Sequence, residues 1–192
     1  MTGRFDWSLA IEAPWLIFIA YWFLASLRVN KMERREPSGE QLVRIVAMLA
    51  AFFLLYDNDP RLGVLNRRFI PWRPWVFVVG AALAWAGVAF AIWARYHIGR
   101  YWSGSVALRA GHELIRTGPY ARIRHPIYTG MLLAIAGTAL AIGRYRALVA
   151  FAIILLGFTW KSKREEALLA SQFGAAFEEH RRRTGFFLPR FS

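Results

Sequence analysis

The chain contains no cysteine among its 192 residues. That single absence excludes disulfide bridges, thiolate catalysis and sulfur ligation of a metal. Acidic residues are scarce as well, 12 against 25 Lys and Arg, giving a net charge of +13. No Gly-rich phosphate loop of either standard kind is present, so neither a Walker site nor a dinucleotide-binding fingerprint is supported. His97, His112, His125 and His180 lack the i, i+4 pairing of helical metal sites, and Ser103 and Ser105 lack the setting of a nucleophile elbow.

What is present in excess is apolar. Hydrophobic residues make up 57% of the chain and aromatics 16%, and the mean hydropathy is positive. The apolar residues gather into blocks, as a membrane protein requires when about 20 of them must cross a core about 30 Å thick. The basic residues lie between these blocks and form no aromatic-interleaved basic face, so anionic lipid headgroups suit them better than nucleic acid.

Five blocks are read as spans: Ala13 to Leu27, extending back through Leu9; Ile45 to Tyr56, reaching span length with Leu42 to Arg44; Trp75 to Ala94; Ile127 to Gly143; and Ala147 to Trp160. The first is read as retained, because a single Arg precedes it and no small-residue cleavage site follows. The third is uncharged and edged by Trp72, Trp75 and Trp93. The last two, split by Arg144-Tyr145-Arg146, read as a helical hairpin. Five spans place 18 basic residues on one face and 7 on the other. The positive-inside rule then sets the N-terminus outside and the C-terminus in the cytoplasm. Lys161 to Arg183 reads as one amphipathic helix with Leu169, Phe173 and Phe177 on one face, closed by Thr184-Gly185.

The expected fold is therefore all-α, a polytopic membrane bundle of about five transmembrane helices with a C-terminal cytoplasmic amphipathic helix. It forms a single domain, with residues 1–94 supplying N-terminal spans and 95–192 carrying the chemistry.

The densest polar cluster, from Gly118 to Gly130, sits directly against an apolar run. Ionisable groups at the edge of a hydrocarbon layer are costly unless paired or set in a wet cavity, so the cluster is a candidate site. It falls on the same membrane face as Glu165 and Glu166. Tyr120, Arg124, His125 and Tyr128 from one segment and the two carboxylates from the other suit a zwitterionic ligand. Plainer readings stand beside this one. Arg124-His125-Pro126 also fits an interfacial anchor with Pro at a helix start. Tyr120 and Tyr128 fit an aromatic belt, and the glutamates fit helix pairs with Lys161, Lys163 or Arg164. Arg95 and Arg100 suit either an anionic substrate group or snorkelling to headgroups. Gly130, Ala134, Gly137 and Ala141 suit close helix packing.

Gly118-Pro119-Tyr120, Arg124-His125-Pro126-x-Tyr128-x-Gly130, Arg164-Glu165-Glu166 and Phe173-Gly174 together resemble the isoprenylcysteine carboxyl methyltransferase family, over about Trp93 to Pro189. Ile98-Gly99-Arg100-Tyr101-Trp102-Ser103 is similar to an approach segment of bacterial members. The resemblance implies S-adenosylmethionine as cofactor and S-adenosylhomocysteine as product, bound at the cytoplasmic face by Tyr120, Arg124, His125, Pro126, Tyr128, Glu165 and Glu166. It implies carboxyl O-methylation of an isoprenylcysteine-like or other lipophilic acceptor, with Arg95 or Arg100 orienting the acceptor carboxylate. The chain departs from the family pattern after Phe173-Gly174, where Phe177 and His180 replace frequent tyrosines. N-methylation of a phospholipid amine and S-methylation of a small thiol remain open on the same scaffold, as does a non-enzymatic membrane scaffold. The expected location is a bacterial inner membrane.

Overall fold

The computed structural model describes residues 7–27, 38–56, 60–99 and 114–191. Among the described residues six α-helices run in chain order: α1 (Trp7–Ser26), α2 (Ser38–Tyr56), α3 (Pro74–Ile98), α4 (Pro126–Ile142), α5 (Tyr145–Phe173) and α6 (Ala175–Arg183). Two 3₁₀ segments, Pro60–Asn66 and Gly118–Ala121, precede α3 and α4. There are no strands among the described residues, only isolated bridges. The protein is an all-helical integral membrane protein.

Among the described residues three helices, α1, α3 and α5, are long and apolar enough to cross a membrane. Two shorter apolar stretches, Ile45–Tyr56 in α2 and Pro126–Ile142, account for the other blocks expected from the sequence. Helices α3 and α4 both start with proline at the first turn, where its missing N–H would have had no partner.

The α3–α4 pair is the most closely packed part of the bundle. Gly80, Ala84, Gly87 and Ala91 on α3 face Gly130, Ala134, Gly137 and Ala141 on α4, running antiparallel. A Cβ added to Gly80 would sit 2.6 Å from the Gly137 carbonyl oxygen, and one on Gly130 would sit 2.6 Å from the Ala91 nitrogen. Backbone thus meets backbone with no room for a methyl group, the small-residue packing that replaces the hydrophobic drive inside lipid. Trp15 of α1 ties in by donating its indole N–H to Thr138 Oγ1 at 3.0 Å, which satisfies two buried polar groups at once. The division expected between residues 94 and 95 falls inside the last turns of α3.

The expected amphipathic helix over 161–183 is two pieces. Helix α5 continues unbroken through Lys161, Glu165 and Glu166 to Phe173, and the break comes at Gly174. Gly174 has φ +49°, a backbone region that side chains with a Cβ resist. Helix α6 then turns back so that Phe177 and His180 are buried. The carboxylates are therefore held rigidly on the end of a membrane helix.

Candidate functional site

The site lies where α3 ends, α4 begins and α5 leaves its apolar stretch. Proline at 126 disfavours a helical backbone at the residue before it, so His125 adopts φ −123° and ψ 58° and turns from the chain into the bundle end. Its imidazole is buried. Arg124 Nε donates to Glu166 Oε1 at 2.5 Å, and His125 Nε2 lies 3.0 Å from the same oxygen. One turn into α4, the Tyr128 hydroxyl donates to Glu165 Oε1 at 3.0 Å. The Arg124–His125–Tyr128 segment thus grips both carboxylates of α5, and Pro126 sets its geometry.

Burial alone would raise the Glu166 carboxyl, which lies beyond the apolar stretch of α5. The hydrogen bonds and charges of His125 and Arg124 outweigh burial and hold it below the usual carboxylate range. Lys161 completes the charge set, its Nζ 3.4 Å from Glu165 Oε1 and 5.2 Å from the centre of the Tyr128 ring. The i, i+4 pairing of Glu165 is thus real, but it coexists with the bond from Tyr128.

Aromatic rings wall the site. Tyr128 stacks on Phe158 at 4.7 Å between centroids and on His125 at 5.8 Å. Phe186 meets the imidazole edge-on at 5.0 Å. It arrives on a segment whose sequence suggests only a helix stop. Arg124 N–H donates to Gly185 O at 2.9 Å, Gly185 N–H to Arg122 O at 3.0 Å, and His125 N–H to Phe186 O at 3.3 Å. Arg124 Nη1 also donates to the carbonyls of Arg181 and Thr184, and Thr129 Oγ1 donates to Phe187 O at 2.7 Å. Residues 184–190 form a strap laid along 122–125.

Tyr120 is buried deeper and points elsewhere, its hydroxyl 3.5 Å from Ala94 O. Burial, then the charge of Glu165, pushes its phenol up, and Arg95 pulls the other way. Arg95 is buried and donates to Gly99 O at 2.7 Å and Ala25 O at 3.2 Å, joining the ends of α3 and α1. Arg100, Trp102, Ser103, Ser105 and His112 lie outside the described residues. Among the described residues there is no cluster of three metal-ligating side chains.

A helical membrane bundle closing one end over two gripped carboxylates, an imidazole and aromatic walls defines an integral membrane protein with an enclosed polar site at the membrane edge. Residues 80–171 match the isoprenylcysteine carboxyl methyltransferase (ICMT) family. A protein-S-isoprenylcysteine O-methyltransferase of Schizosaccharomyces pombe is 29% identical over 98% of this chain and 76% of its own length. The cobalt-zinc-cadmium resistance protein CzcN of Cupriavidus metallidurans is 34% identical over 62% of this chain and 53% of its own. The solved structure of the eukaryotic intramembrane Ras methyltransferase ICMT shares the fold, with a TM-score of 0.53 at 22% identity over 80% of this chain and 53% of that one. The chain thus spans about half the length of two of these three relatives. These matches make residues 80–171 of the chain similar to the isoprenylcysteine carboxyl methyltransferase family, and its fold is that of a helical membrane protein. The S. pombe likeness also reaches well into the N-terminal half, beyond the span of the motifs.

Proposed function

We propose that the protein transfers a methyl group from S-adenosylmethionine to the carboxylate of an isoprenylcysteine-like or other lipophilic acceptor. The observation that carries this reading is the shared grip of Arg124, His125 and Tyr128 on Glu165 and Glu166 at a membrane edge. The donor set fits a zwitterionic, cationic cofactor, since Lys161 already rests its ammonium against Glu165 and over the Tyr128 ring, a setting suited to a positive group.

In this reading Glu165 and Glu166 accept from an ammonium or from ribose hydroxyls, while Arg124 and His125 fix Glu166 and donate toward a carboxylate. Tyr120, at the α3 end, and Pro126, which sets the backbone of His125, complete the cofactor-binding set. The cofactor supplies an electrophilic methyl group on a sulfonium. Arg95, in the last turn of α3, or Arg100 orients the acceptor carboxylate, which is already ionised at neutral pH and needs no strong base. The aromatic wall of His125, Tyr128, Phe158 and Phe186 keeps water out, so alignment and exclusion of water carry most of the rate. The acceptor enters laterally from the bilayer and the cofactor from the cytoplasmic face, in a bacterial inner membrane with the N-terminus outside.

The test is methyl transfer from labelled S-adenosylmethionine to an N-acylated prenylcysteine by the purified protein. Base-labile label that His125→Ala removes supports carboxyl methylation. Base-stable label would assign an amine or thiol acceptor, for which Glu165, Glu166 or His125 would have to take a proton. No transfer and no S-adenosylhomocysteine binding by folded protein would refute the proposal.

A further inference from the structure

The turn joining α4 to α5 lies at the end of the bundle opposite the carboxylate site, and it is unusually basic. Arg144, Tyr145 and Arg146 follow Gly143 there, and Arg61, Arg67, Arg68 and Arg73 precede α3 on the same side. Arg146 has a structural task. It is buried and donates to the carbonyls of Leu54, at 2.5 Å, and Leu55, closing the C-terminal end of α2.

Arg68 and Arg144 are arranged differently. An antiparallel bridge sets them opposite one another, with Phe69 N–H donating to Gly143 O at 3.0 Å and Tyr145 N–H to Arg67 O at 3.1 Å. Arg144 Nη1 is steadied by Asn66 Oδ1 at 3.2 Å, and Arg68 Nε by Ile70 O at 3.1 Å. The Arg68 guanidinium lies close against Gly143, where an added Cβ would come within 2.8 Å of Nη2. A guanidinium has five N–H donors, so these bonds fix the two groups while leaving donors on each to spare.

Burial first, and then the charge of Arg144, holds the Arg68 guanidinium below its usual range. Among the described residues, no carboxylate pairs with Arg67, Arg68, Arg73 or Arg144. The nearest acids in sequence, Asp57 and Asp59, lie outside the described residues. The depth is also marked. Trp72 and Trp75, at the start of α3 on the same side, and Tyr145 are exposed, and Phe69 packs on Tyr145 at 6.1 Å, aromatics of the kind that sit at headgroup level.

We propose that Arg68 and Arg144 form a binding site for the phosphate of an anionic phospholipid headgroup, on the membrane face opposite the methyl-transfer site. Paired planar guanidiniums suit a phosphate with two or more oxygens to share, and the exposed Arg67 and Arg73 add to the attraction. The bound lipid would pin the α4–α5 turn at a fixed depth, and with it the register of the carboxylates at the far end of α5.

Native mass spectrometry of the full chain, released from vesicles of phosphatidylglycerol or of phosphatidylcholine, tests this. Wild type should retain a phosphatidylglycerol molecule that Arg68→Gln/Arg144→Gln loses, with apparent affinity down roughly 30-fold for two basic residues. Arg68→Lys, which keeps charge but not the planar fork, should fall between the two and guards against misfolding of the double variant. Equal retention by wild type and double variant would overturn the proposal. Stabilisation of detergent-purified protein by inorganic phosphate, matching that by phosphatidylglycerol, would also overturn the lipid assignment, in favour of a free anion.

Discussion

Replacing Glu166 with glutamine removes one charge and almost nothing else. The side-chain oxygen of the variant can still accept from Arg124 and His125, which reach Glu166 Oε1 at 2.5 and 3.0 Å. What changes is that two charge-assisted bonds become ordinary ones, a loss of about 1 kcal/mol each. Arg124 and Glu166 side chains are only 12% and 14% exposed, so solvent screens the loss little. We expect Glu166→Gln to be about 2 kcal/mol less stable, and to bind S-adenosylhomocysteine about fivefold more weakly through the loss of one charge-assisted contact to the ligand worth about 1 kcal/mol. Glu166→Ala should cost about 3 to 5 kcal/mol, because it strands a mostly buried guanidinium. Calorimetric titration and thermal unfolding in one detergent read both quantities. The pH dependence is a second signature. The folded carboxyl is held low, so its contribution is complete above the usual carboxylate range and disappears as pH falls through the depressed folded value. Glu166→Gln should therefore flatten the acid limb of the stability profile. Glutamine binding S-adenosylhomocysteine within twofold of wild type, with an unchanged melting temperature, would refute the reasoning.

Three further outcomes are expected. Burial, followed by the charges of Arg116 and Arg124, holds the His180 imidazole below its usual range; folding therefore opposes protonation, and stability should fall as pH drops through that range, an effect His180→Gln should abolish in thermal unfolding. Gly130→Val should destabilise by at least about 1 to 3 kcal/mol, because the side chain would drive into the backbone of α3. Gly157→Ala, at a helical site with open space, should be neutral or stabilising by up to about 1 kcal/mol, so equal effects of the two would sink the packing argument. Thr129→Val removes the bond to Phe187 O, and limited proteolysis should cut the 184–190 strap several-fold faster at a cost of about 1 kcal/mol.

The spans are legible in the sequence because a long uncharged apolar run suits a bilayer and little else. The pairing of 124–128 with 165–166 is legible because charges at a membrane edge need partners. Helix α5, from Tyr145 to Phe173, looks shorter in the sequence because composition changes at Trp160. Composition does not end a helix, however, and no glycine or proline interrupts it between Phe158 and Phe173. The strap leaves no periodic trace. Its register rests on main-chain bonds between Arg122, Arg124, Gly185 and Phe186, and Thr184-Gly185 reads equally well as a simple stop. Arg146 looks like a loop charge because its partners are carbonyls of α2, distant in sequence and invisible to any side-chain pattern.

The strap also sets an order of assembly. Arg124 meets the Thr184 carbonyl across 60 positions of chain, and Thr129 meets Phe187 across 58. During synthesis α3 and α4 can zip together through their small residues long before those partners exist. Arg124 and His125 therefore lack the backbone that fixes them until residues 184–190 have been made. Closure of the strap is thus the late step that fixes the carboxylate grip, and a nascent chain lacking it would be membrane-embedded with Arg124 and His125 unanchored.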